Sequence, residues 1–224
     1  MTTAQPRRIT AALLVAMTIV ACAGATRAAA QTLSPGAEQS DLAAIARARA
    51  DSVRHPYTAA DVHFMSSMIG HHAQAIVMSR WAPTHGASAS VQTLAARIIN
   101  SQQDEIATMQ GWLRDRLQPV PEARATGMKM MMDGVEHEML MPGMLTETQI
   151  KQLDQARGPE FDRLFLTFMI QHHGGAVSMV KDLFDTYGAG QDEVVFKFAS
   201  DVNVDQSTEI ARMQKMLVAL TFGD

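Results

Sequence analysis

An internal repeat constrains this chain more than any other feature of its sequence. The run from Asp61 to Met78 recurs from Asp162 to Met179. Asp61/Asp162, Met68/Met169, His71/His172, His72/His173 and Met78/Met179 all stand 101 residues apart. Further on, Gln102, Glu105 and Met109 recur as Gln206, Glu209 and Met213 at an offset of 104, so the loop inside the second copy is three residues longer. Two copies of one supersecondary unit bury together the faces that neither can bury alone.

Each copy reads as two helices joined by a short loop. Thr58 and Asp61 form a capping-box start. Pro83 and Gly86 end that helix, and Ser88 or Ser90 caps the next, which runs to about Leu117 before Pro119 and Pro121. In the second copy Gly158-Pro159 precedes one helix, Gly188 to Gly190 follow it, and the last helix runs from about Asp192 to Thr221. Leu94, Ile98, Ile106, Met109 and Leu113 fall at helical spacing. No segment reads as a convincing strand. The expectation is an all-α four-helix bundle made of two repeated helical hairpins, 58–118 and 158–224, within one domain spanning 58–224. A connector at 119–157 joins them and contains a short helix from Thr146 to about Arg157.

The N-terminus reads as a targeting segment. Arg7 and Arg8 precede an apolar stretch from Ile9 to Ala21, the pattern of a secretory signal. Ile19-Val20-Ala21-Cys22 then resembles a bacterial lipobox, with the chain's single cysteine at the lipidated position. That makes 1–22 the signal and Cys22 the lipidation site. Cleavage after Ala28-Ala29-Ala30 is the competing reading. Residues 23–57 follow as a tether and an N-terminal helix. The expected location is exported, either periplasmic or at the outer face of a membrane as a lipoprotein, with membrane contact only through the lipid anchor. The formal net charge of −4 without a basic stripe argues against nucleic-acid binding. No apolar run is long enough to span a bilayer.

The chain holds 17 methionines, while aromatics make up only 5% of it. Methionine fills irregular cores, and its thioether also prefers Cu(I) among common metals. On a helix, residues three and four apart share a face. Met68 therefore sits beneath both His71 and His72, while Met65 lies seven residues before His72 and Met78 seven after His71. Met169, His172, His173 and Met179 repeat the arrangement. Adjacent histidines point about 100° apart, so one of each pair faces the interior and the other a second ion, a carboxylate or solvent. The second helix of each hairpin offers Glu105 or Glu209, to ligate metal or to hold a histidine tautomer. Asp61 and Asp162 read as complements to a helix dipole. His55, His63 and His85 read as surface residues, and Trp81 and Trp112 as core or rim packing.

The connector carries Met128, Met130, Met131, Met132, Met139, Met141 and Met144 with His137, which reads either as a soft-ligand cluster or as an apolar flap. The Met-x-x-His-His runs likewise have a bland reading as core packing. Burying paired imidazoles costs free energy unless each finds a partner, which favours metal. Glu-x-x-His, the ligand pattern of di-iron bundles, is absent, and thioether in place of carboxylate shifts the preference toward copper. Zinc and iron stay open. Cys22 is the sole thiol and no phosphate-binding loop follows a strand, so nothing points to nucleophilic catalysis.

Several runs together resemble the exported bacterial family catalogued as domain of unknown function 305. They are Phe64 to Ile76, Gln102 to Met109, Met141-Pro142-Gly143-Met144-Leu145-Thr146 and Gly158 to Ala176. The resemblance implies a ferritin-like fold and an exported location. It also implies copper binding, because some members look like periplasmic copper-binding proteins linked to copper tolerance. The matching positions are Met68, His71, His72, Met169, His172 and His173 with the connector. The resulting expectation is an exported protein that sequesters or transfers copper, Cu(I) or Cu(II), by binding rather than turnover, with a copper donor or acceptor protein as partner. A ferritin-like dinuclear metal oxidase and a metal-free interaction module of the cell envelope are the alternatives.

Overall fold

The computed structural model describes Met1 and residues 35–54, 56–125, 127–132 and 135–222. The signal segment with Cys22, most of the tether, and His55 lie outside the described residues. Pro35–Asp224 form a compact unit. In chain order its elements are α1 (Pro35–Arg54), α2 (Ala59–Arg80), α3 (Ala89–Asp115), β1 (Met128–Met132), β2 (Val135–Met139), α4 (Glu147–Gln155), α5 (Pro159–Asp185) and α6 (Glu193–Phe222).

The helix ends follow local chemistry. Thr58 caps α2 in a complete capping box: its hydroxyl accepts from the Asp61 N–H, and the Asp61 carboxylate accepts from the Thr58 N–H at 2.6 Å. Ser88 caps α3. Thr146 and Gln149 form a second capping box on α4. Pro159 starts α5, where its missing N–H is no loss.

Helix α2 pairs with α3, α5 with α6, and the two hairpins meet along α2 and α5. Helix α1 lies against α3, and α4 against α5. Two apolar clusters form the core. One joins Phe64 to Ile76 of α2 with Ile106 to Leu113 of α3, Ala176 to Leu183 of α5 and Val195 to Val202 of α6. The other joins Ala75 to Ala82, Val91 to Ile98, Phe161 to Met169 and Met213. The first half of α2 thus shares a cluster with the last half of α5, so the two central helices run antiparallel. Both clusters draw on all four long helices. Between the two clusters lie His71, His72, Gln102, Glu105, His172, His173, Gln206 and Glu209, as a polar layer across the middle of the molecule.

The expected absence of strands does not hold in the connector. Its 128–139 segment forms an antiparallel hairpin, with Met128 opposite Met139 and Met132 opposite Val135. The Asp133-Gly134 dipeptide between the strands is the two-residue hairpin signal, and the unbranched methionines around it obscure the strand pattern. His137 pairs in register with Met130. Side chains 128–138 lie outside the described residues, so the connector's ligand role stands as an expectation. No helix among the described residues is long and apolar enough to cross a membrane.

Candidate metal centre

The centre forms where α2 and α5 cross. His71, His72, His172 and His173 are all fully buried. The rings of His71 and His172 lie against each other across the interface, centroids 3.9 Å apart and tilted by 39°. Each is 6.2 Å from the next histidine along its own helix. The ambiguity within each pair resolves the same way in both copies: His71 and His172 face each other, while His72 and His173 face carboxylates. His173 Nε2 donates to Glu209 Oε2 at 2.7 Å. His72 Nε2 and Glu105 Oε2 approach to 2.6 Å without the alignment of a hydrogen bond. The duplicated sequence thus produces a duplicated geometry about a local two-fold.

A strap covers His71. The Pro142 carbonyl accepts from His71 Nε2 at 3.0 Å. Because a carbonyl only accepts, His71 carries its proton on Nε2 and leaves the Nδ1 lone pair free. Gln74 holds the strap, donating to the Leu145 carbonyl at 3.2 Å and accepting the Leu145 N–H at 2.7 Å. The equivalent position in the second copy is Gly175, and there the strap backbone presses directly on α5. A Cβ at Gly175 would sit 1.9 Å from the Pro142 oxygen.

Electrostatics keep the central pair neutral. Burial, then the neighbouring His72, pushes His71 down to about 3. Burial, then His71 and His173, holds His172 well below the usual histidine range. A neutral imidazole is the form that binds a metal ion. Five of the eight ring nitrogens in the four histidines have no polar partner: Nδ1 in all four and Nε2 in His172, while His72 Nε2 has the Glu105 carboxylate. Unpartnered buried nitrogens of this kind are expensive in a purely structural core. They fit a metal with imidazole ligands, and the thioethers of the fully buried Met68 and Met169, one turn back on the same helices, fit a soft one. Met65 and Met78 are fully buried and Met179 nearly so, in the flanking apolar clusters. Among the described residues, no three His, Cys, Asp or Glu side chains stand close enough together to hold an ion as placed.

Several sequence expectations change. Asp61 and Asp162 do more than complement helix dipoles: each crosses to the other hairpin. Asp61 Oδ1 accepts the Gly190 N–H at 2.7 Å. Asp162 accepts the Ser88 N–H at 3.1 and 3.2 Å. Each aspartate therefore pins the loop of the opposite copy. His85 is buried rather than on the surface, because its Nε2 donates to the Asp154 carbonyl at 2.9 Å and its ring stacks on Trp81. Trp112 is core packing as expected, with its indole N–H donating to Asp192 at 3.0 Å. Asp192 and the Pro142 strap carried no sequence signal that marked them as partners.

The family pattern described as domain of unknown function 305 matches residues 61–217. Among solved structures, a family protein from Streptomyces coelicolor classed as secreted is 27% identical, with a TM-score of 0.60 over 72% of this chain and 94% of that one. A family fragment from Deinococcus radiodurans is 28% identical, with a TM-score of 0.59 over 72% and 97%. CopM in its Cu(II)-bound form is 29% identical, with a TM-score of 0.54 over 70% and 95%. CopM is also known in Cu(I)-bound and silver-bound forms. No curated protein matches the chain at a significant level. The protein belongs to the family described as domain of unknown function 305.

Proposed function

We propose that this protein is an exported metal-binding protein that holds copper at the α2–α5 crossing and sequesters it or passes it to a partner. The observation that carries this reading is the set of buried, unpartnered imidazole nitrogens of His71, His72, His172 and His173. His71 and His172 supply nitrogen from neutral rings. Met68 and Met169 supply thioether sulfur, which stabilises Cu(I). Glu105 and Glu209 brace His72 and His173 as carboxylates brace metal-bound histidines elsewhere. The similarity to CopM, known with copper and silver bound, supports a soft metal as the ion this protein binds. The similarity to a protein classed as secreted supports export, as does the Arg7-Arg8 signal with Cys22.

The test is Cu(I) competition against a chelator, comparing the wild-type protein with His71→Ala/His172→Ala. Retained copper that the variant loses supports the assignment. Copper retained equally by both places it elsewhere, and none retained by either overturns the reading.

A further inference from the structure

A polar cleft of about 220 Å³ opens between α3 and α6, beside the carboxylates that meet His72 and His173. Gln102, Glu105, Asp205, Gln206 and Glu209 line it, with Arg97 at its edge. Glu105 and Glu209 each turn one carboxylate oxygen inward to a histidine, yet their side chains keep 19% and 20% of their surface exposed. Two features point to a ligand rather than to a solvated acidic face. Gln102 and Gln206 are only 2% and 3% exposed, and the amide oxygen of each has no hydrogen-bond partner. Two buried amide oxygens thus line one cleft without donors, which a purely structural core seldom tolerates. The carboxylates also share one space. Burial, followed by Glu105, Asp201 and Glu209, raises the affinity of Asp205 for its proton.

We propose that this cleft is an oxygen-donor site for a divalent cation, formed by Asp205, Glu105, Glu209 and the amide oxygens of Gln102 and Gln206, separate from the thioether-imidazole centre. Carboxylate and amide oxygens suit Mn²⁺-class ions and reject the soft ion that methionine selects. Three carboxylates facing one guanidinium leave the cleft net negative. As placed, these carboxylates do not stand close enough together to hold an ion; Asp205 is exposed and Glu105 and Glu209 are half-buried, so their side chains must rotate inward to close on one. Glu105 and Glu209 would then touch the cation on one side and a histidine on the other, coupling the two sites.

The probe is Mn²⁺ added to the full chain, followed by the loss of the free-ion paramagnetic resonance signal. About one bound equivalent is expected. Asp205→Asn should weaken it at least tenfold, because it removes the charge on an exposed side chain that the fold does not need. Arg97→Ala should tighten binding, which separates a cation site from an anion site. Met68→Leu/Met169→Leu should leave Mn²⁺ binding unchanged, and Asp205→Asn should leave Cu(I) retention unchanged. Absent Mn²⁺ binding, equal affinity in Asp205→Asn, or weaker binding in Arg97→Ala overturns the proposal and leaves the copper reading to its own test.

Discussion

The rings of His71 and His172 lie 3.9 Å apart, both fully buried, one from each copy of the repeat. Both have their proton affinity lowered by the fold, chiefly through burial. The unfolded chain takes up protons near pH 6.5 that the folded chain refuses until about pH 3 for His71. Stability from these groups is therefore complete above about pH 7. It is lost as pH falls through 6.5, at about 1.4 kcal/mol per pH unit for each histidine. Thermal melts of the metal-free protein from pH 7.5 to 4 should show this slope, and His71→Gln/His172→Gln should flatten it. An equal slope in both proteins would show that other groups govern the acid limb.

Asp61 and Asp162 make a second reciprocal pair. Asp61→Ala strips acceptors from the N–H groups of Gly190 and Thr58 and from the Thr58 hydroxyl. Asp162→Ala strips one from the Ser88 N–H. Each should cost about 1–3 kcal/mol by chemical denaturation, with Asp61→Ala the larger. A helix-dipole role alone would cost about 0.3–1 kcal/mol, so values in that range would contradict the cross-hairpin role.

Gly174 and Gly175 are adjacent and predict opposite outcomes. A Cβ at Gly174 meets nothing within 4 Å, so Gly174→Ala should be neutral or stabilising by up to about 1 kcal/mol. Gly175→Ala drives a methyl into the Pro142 carbonyl. It should destabilise by about 1–3 kcal/mol and detach the strap from His71. Faster hydrogen exchange at the Leu145 amide, which Gln74 normally holds, reports that detachment. Unchanged exchange in Gly175→Ala would show that the strap is held elsewhere.

The sequence made the scaffold legible because its signals are local. The Thr58–Asp61 box, the Pro83 and Gly86 stop, and Gly158-Pro159 each act within a turn of where they stand, and the helices begin and end beside them. The repeat further implied that whatever His71 does, His172 does too. Periodicity specifies a face but not what meets it. Hence the sequence left open that His71 meets His172 while His72 meets Glu105. It also gave no sign that Asp205 joins Glu105 across a cleft, because the two sit on different helices a hundred residues apart. His85 read as exposed because a histidine beside Gly86 looks like loop; the end of α4, Trp81 and Phe161 together bury the ring.

The central claim is that His71 and His172, with Met68 and Met169, hold a soft metal ion. X-ray absorption on the Cu(I)-loaded protein tests it most directly. The account predicts a mixed shell of imidazole nitrogen and thioether sulfur, with the sulfur lost in Met68→Leu/Met169→Leu and the nitrogen reduced in His71→Ala/His172→Ala. A shell of oxygen and nitrogen alone, or one unchanged in both variants, would contradict it.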